Sequence, residues 1–109
     1  MSSDKRFAAE KAFSSALIDS IIESVANALG RYVLDLLVSK GLLDNSDNPK
    51  EFDRKLQSIF GNGSSVIERI VVKDLYRKLS IRYDSEARFD YEKSLETAKE
   101  SCFVESRLK

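Results

Sequence analysis

A single proline, Pro49, and four glycines interrupt a chain of 109 residues, so a helix meets few obligatory stops and a sheet of many short strands lacks its turn residues. The apolar residues follow the same rule. From Leu17 to Leu37 they recur every three or four positions through Ile18, Ile22, Val25, Leu29, Tyr32, Val33 and Leu36, with Asp19, Glu23, Asn27, Arg31 and Asp35 on the other side. That period keeps one helical stripe in phase. Gly30 falls inside it, where glycine costs about 1 kcal/mol relative to alanine, and marks a kink, a close helix crossing or a break into two helices. Beyond it, Tyr32 to Val38 is apolar in nearly every direction, which predicts the most buried helix of the fold. Gly41 follows as a left-handed stop.

Asn48, Pro49 and Glu51 form a helix start: a side-chain acceptor, a first helical residue that lacks an N–H where none is needed, and a box-like glutamate. Phe52, Leu56, Ile59 and Phe60 then share a face, and Gly61 ends the helix. After a tight Asn62-Gly63 connection, Ser65 with Glu68 reads as a capping box for a helix buried through Ile67, Ile70, Val71, Leu75 and Leu79. The β-branched residues between Val66 and Val72 would also suit a strand, but the helical period continues through Leu79 and decides for helix. Past Ile81-Arg82-Tyr83, Asp84 or Ser85 can cap a last helix. Its stripe of Ala87, Tyr91, Leu95, Ala98 and Cys102 is thin, predicting a helix that is peripheral or packs against a partner.

The expected fold is therefore all-α, a compact bundle of four to five helices. Residues 14–109 form one domain, with the Leu29–Val38 segment at its centre, and residues 1–13 are a frayed helical extension or a disordered tail. A chain of this length buries roughly two thirds of its unfolded surface, enough for a core without staples.

Cys102 is the only cysteine, which excludes an intramolecular bridge and leaves a reduced compartment or an intermolecular bond. The longest apolar runs, such as Ile70-Val71-Val72, are too short for a continuous membrane span. Met1 to Arg6 does not read as a signal peptide, so a cytoplasmic location is expected. Eighteen basic and eighteen acidic residues balance, leaving no overall field to gather polyanions or a membrane surface.

Histidine is absent, removing the commonest general base and zinc ligand. Cys102, at helical spacing from Leu95 and Ala98, reads as a buried small hydrophobe. Asp19 and Glu23 lie one turn apart, a spacing ordinary on solvated helix faces though able to share a metal or a proton. Gly61-Asn62-Gly63-Ser64 has the glycines of a phosphate-binding loop without its lysine and spacing. The most pointed local feature is basic: Arg69, Lys73 and Arg77 repeat every four residues, with Lys78 and Arg82 nearby and Asp74 opposing them. Such a row can contact phosphates; equally, it can be a solvated face paired with Glu92 or Glu96. Tyr76 and Tyr83 are too few for a stacking platform.

Several landmarks fall in a familiar order: Ile21-Ile22-Glu23-Ser24, Ala28-Leu29-Gly30, Tyr32-Val33, Leu36-Leu37, Asn48-Pro49 with Phe52 and Leu56, Ile59-Phe60-Gly61-Asn62-Gly63, Glu68-Arg69-Ile70 and Leu75-Tyr76. From Leu17 to Ile81 this run resembles the small archaeal output domains of the Nitrosopumilus class, which occur alone or attached to signal-transduction proteins. The resemblance implies an all-helical module that relays or receives a signal through protein contacts, and it transfers no catalytic residue.

The functional expectation is a non-catalytic protein-interaction or signalling-output module without a cofactor or metal, whose partner is a protein and which forms a homodimer. The alternative is a transcription-related nucleic-acid-binding domain using Arg69, Lys73, Arg77, Lys78 and Arg82.

Overall fold

Ala9, Phe13, Leu17, Ile21 and Val25 recur every four residues and are all buried, so one face of a single long helix becomes the floor of the core. In the computed structural model, which describes residues 2–108 and the side chains of residues 6–104, this helix, α1, runs from Ser2 to Leu29. At 1.5 Å per residue its 28 residues span about 42 Å, which matches the 42 Å long axis of the molecule. Residues 2–13 belong to α1 and carry Ala9 and Phe13 into the core. The segment Arg6–Leu29 is long and apolar enough to cross a membrane by length and composition, although no run in it is continuous. Here its apolar stripe is covered by other helices.

Four further helices follow among the described residues: α2 (Arg31–Ser39), α3 (Pro49–Phe60), α4 (Ser64–Lys78) and α5 (Tyr91–Leu108), with a 3-10 turn at Gly61–Gly63 between α3 and α4. No strand occurs among the described residues, and the β-branched residues from Val66 to Val72 are helical. The architecture is an all-α bundle in which α4 and α5 lie against α1, α3 bridges α4 and α5, and α2 packs on α1.

Gly30 breaks the long stripe into two helices. Its φ of 93° and ψ of 159° lie in a region essentially reserved for glycine, and hydrogen bonding continues on both sides, from Gly30 N to Ala26 O at 2.9 Å and from Leu34 N to Gly30 O at 3.1 Å. The α2 helix ends as expected at Gly41. The amide of Leu42 donates to Leu37 O and that of Gly41 to Val38 O, both at 3.0 Å, and both leucines are buried, which is the paired-bond, paired-leucine form of a glycine stop. The α4 helix closes in the same way without a glycine: Ser80 takes φ 58°, while Ile81 N donates to Tyr76 O at 2.8 Å and Ser80 N to Arg77 O at 3.2 Å. At the start of α3, Asn48 Oδ1 accepts from the Glu51 amide, and Lys55 Nζ pins the preceding loop by donating to the carbonyls of Gly41 at 2.8 Å and Asp44 at 2.6 Å.

Three expectations are corrected by this arrangement. The centre of the fold is α1, not the Leu29–Val38 segment: α2 buries Leu34 and Leu37 but leaves Tyr32, Leu36 and Val38 exposed, because nothing covers its outer side. The last helix is not peripheral, since Tyr91, Leu95, Ala98 and Cys102 are buried and α5 lies along α1. It also starts later than Asp84 or Ser85. Asp90 supplies the cap, its Oδ1 accepting from Lys93 N at 3.0 Å, and Ala87 lies exposed in the non-helical stretch before it.

Candidate functional site

On α4, Arg69, Lys73 and Arg77 recur every four residues and all are exposed, so the spacing does produce a row of cations on the outer face. Their surroundings differ from the expected pairing with Glu92 or Glu96. The Arg69 guanidinium stands 5.3 Å from the centre of the Phe89 ring, and Lys73 Nζ stands 5.4 Å from that of Tyr83. Both rings come from the non-helical stretch between α4 and α5, which folds back beside the row, and Tyr83 meets Tyr76 edge-on at 6.0 Å. Arg77 bonds Asp74 at 2.6 Å.

Lys78 does not belong to this row. One residue further round the helix, it turns toward α1 and forms ion pairs with Asp74 and with Glu23. Burial works against the charge of Asp74, but the hydrogen bonds from Lys78 and Arg77 outweigh it and hold the carboxyl down to about 2. Burial likewise opposes the Lys78 ammonium, and its two acidic partners raise it above the ordinary lysine range. This triad fastens α4 to α1. Arg82 lies exposed beyond the end of α4, on the connection rather than on the helix.

Asp19 and Glu23, the other carboxylates singled out by spacing, do not converge on a site. Asp19 is exposed on α1, and Glu23 is occupied by Lys78. Among the described residues there is no group of three or more metal-ligating side chains.

A cleft of about 360 Å³ opens where α1, α5 and the start of α3 meet. Phe13 and Leu95 form its apolar part, and Glu10, Asp47, Glu92 and Glu96 face it with Lys99 as the single cation. Glu92 and Glu96 thus serve this side of the molecule and not the basic row.

A third cluster has no counterpart in the sequence patterns. Glu68, whose spacing from Ser65 fits a capping box, is 3 % exposed; α4 begins at Ser64, so Glu68 falls on the buried stripe with Val71, Val72 and Leu75. Its Oε2 has no hydrogen-bond partner. Burial pushes this carboxyl up to about 8, and Asp53 on α3 adds to the shift by accepting a hydrogen bond from the protonated form and by its own charge. Tyr91, the first residue of α5, stacks on Phe52 with centroids 5.8 Å apart and buries an unpartnered hydroxyl. Burial raises that hydroxyl above the ordinary range, and the negative charges of Glu68 and Asp53 add to the effect.

No family model, curated protein or solved structure matches the chain.

The geometry therefore offers an outward cation and aromatic row on α4, an acidic cleft beside α5, a buried carboxyl at Glu68, and the bare side of α2. On α2, Tyr32 is 82 % and Leu36 45 % exposed, and at a separation of four residues they share one face.

Proposed function

We propose that this chain is a non-catalytic protein-interaction module, a signalling-output domain of an archaeal regulatory system, which pairs with a second copy through α2. The observation that carries this reading is the exposure of Tyr32 and Leu36 on one face of a helix that is apolar nearly all round. A helix of that composition is normally covered on every side, and a protruding tyrosine is the kind of side chain that anchors protein contacts. A two-fold contact would set the same face against itself, which needs no second complementary surface.

Two further features support a binding role over chemistry. The Glu68 carboxyl is closed within the helices, and Glu23 is engaged with Lys78. The resemblance of the Leu17–Ile81 run to archaeal output domains points the same way. Light scattering across a concentration series tests the pairing: the native chain is expected to approach twice the monomer mass, and Tyr32→Ser with Leu36→Ser is expected to remain monomeric. A native chain that stays monomeric at high concentration contradicts it.

A second reading is favoured by the aromatic rings beside the basic row. Arg69 over Phe89 and Lys73 over Tyr83 place cations next to π-faces, a combination that suits nucleic-acid strands. On this reading Arg69, Lys73, Arg77 and Arg82 make phosphate contacts, while Lys78 remains with α1. Binding to mixed-sequence duplex and single strands should weaken steeply with salt and disappear in Arg69→Glu, Lys73→Glu, Arg77→Glu. Absence of binding at low salt rejects it.

A further inference from the structure

The cleft between α1, α5 and the start of α3 shares no lining residue with the bare side of α2 or the cation row of α4. On α5, helical spacing sets Glu92, Leu95 and Glu96 on one face. Phe13 comes from α1, a turn beyond Glu10, and Asp47 from the entry to α3. Leu95 is 3 % and Phe13 6 % exposed, so the floor of the cleft is apolar and held by the core. Glu10, Asp47 and Glu96 are exposed and Glu92 is half-buried. Four carboxylates against the one ammonium of Lys99 leave three net negative charges around about 360 Å³, in a chain whose total charge is zero. None of these five groups takes part in a described ion pair.

Sign, spread and size define the occupant. Carboxylates around a low-dielectric cleft focus a field that draws cations and repels nucleic acid. They are spread out: among the described residues no three ligating side chains gather closely enough to hold a metal ion, so separated positive charges suit them better than a single ion. A whole helix, about 10–12 Å across, is too wide for this volume. One or two lysine or arginine side chains fit it, with their methylene stems on the apolar floor and their charged heads at the rim. Glu92 and Glu96 stand about 6 Å apart along α5, close to the spacing of about 7 Å between alternate side chains of an extended strand. We propose that this cleft docks an extended basic peptide segment of a partner protein, whose alternate cationic side chains lie over Phe13 and Leu95 and reach Glu92, Glu96 and Glu10. The proposal rests on the reading of the chain as a protein-interaction module, but not on pairing through α2.

Titration of the full chain with the acetylated, amidated peptide Lys-Ala-Lys-Ala-Arg at low salt, followed by backbone-amide NMR, tests this. Amides around Leu95 and Phe13 are expected to shift, and the peptide Glu-Ala-Glu-Ala-Glu is expected to leave them unmoved. Glu92→Lys with Glu96→Lys should weaken binding at least about ten-fold. Replacing both lysines of the peptide by 2,4-diaminobutyrate keeps the charge but shortens the stems, and should weaken binding about five-fold. Shifts confined to other helices, or none, overturn the proposal, and so does equal binding of the short-stemmed peptide, which would mean diffuse charge attraction only. Spermidine shifting the same amides with equal or higher affinity overturns the peptide occupant. Tyr32→Ser with Leu36→Ser is expected to bind the peptide as the native chain does, so failure of the cleft and failure of pairing through α2 are read separately.

Discussion

The hydroxyl of Tyr76, on α4, donates to the carbonyl of Ser94, on α5, at 2.9 Å. The same tyrosine ring is buried and meets Tyr83 edge-on, so one side chain ties the last helix, the preceding connection and α4 together. Removing only the oxygen isolates the bond. Tyr76→Phe is expected to cost about 1 kcal/mol, read as a lower urea midpoint with an unchanged slope.

Stability should fall as pH rises through the neutral range. The folded Glu68 carboxyl holds its proton up to about 8, whereas the unfolded one loses it near 4.5, so between these values the native state binds more protons than the unfolded state. Its contribution is fully present below the lower value, declines by at most about 1.4 kcal/mol per pH unit, and is gone above the upper one. Glu68→Gln should remove this slope in urea titrations and exceed the native chain in stability above about pH 8. Asp74 acts in the opposite sense. Held down to about 2, it stabilises the fold above the ordinary aspartate range and loses that contribution as pH falls through its folded value.

Gly30→Ala should destabilise through backbone strain alone. A β-carbon at this position meets nothing within 4 Å, but the φ of 93° and ψ of 159° cost a non-glycine residue about 1–3 kcal/mol. Ser80→Gly tests the converse. Ser80 already holds φ 58° at the end of α4, and relieving it should raise stability by up to about 1 kcal/mol, measured by thermal unfolding.

Phe52 and Val66 should separate core from surface. Phe52 is fully buried under Tyr91, so Phe52→Ala is expected to cost about 3–5 kcal/mol. Val66 belongs to the β-branched run that would suit a strand, yet it is 58 % exposed, and Val66→Ala should change stability by no more than about 0.5 kcal/mol. Chemical denaturation of both variants checks the contrast.

Local signals carry much of the fold. The cap at Asn48, the proline at the first position of α3, and the glycine stop at Gly41 act within a turn of themselves, and each is where the sequence pattern puts it. The period through Leu75 overrides β-branching because burial on one helical face outweighs a weak strand preference. Sequence patterns fail where distant packing decides. Whether α2 or α1 is central depends on which helices arrive later to cover them, and a helix apolar on all sides gives no indication that its cover is missing. The start of α5 is displaced from Asp84 because Tyr83 and Phe89 draw the connection back beside Lys73 and Arg69, leaving Asp90 to cap. For the surfaces, the four-residue repeat does expose Arg69, Lys73 and Arg77, but Lys78 is claimed by Glu23, 55 residues away. Glu68 is hidden by a plausible capping role; the one available signal is its phase, since it shares the stripe of Val71, Val72 and Leu75.

The most direct measurement of how this chain works is an NMR concentration series on the native protein, following backbone amides of every helix. Pairing through the bare side of α2 predicts that the amides around Tyr32 and Leu36 shift progressively with concentration while those around Arg69 and Lys73 stay fixed. Shifts confined to α4 and the Tyr83–Phe89 connection, or none on α2 at the highest concentration reached, contradict it.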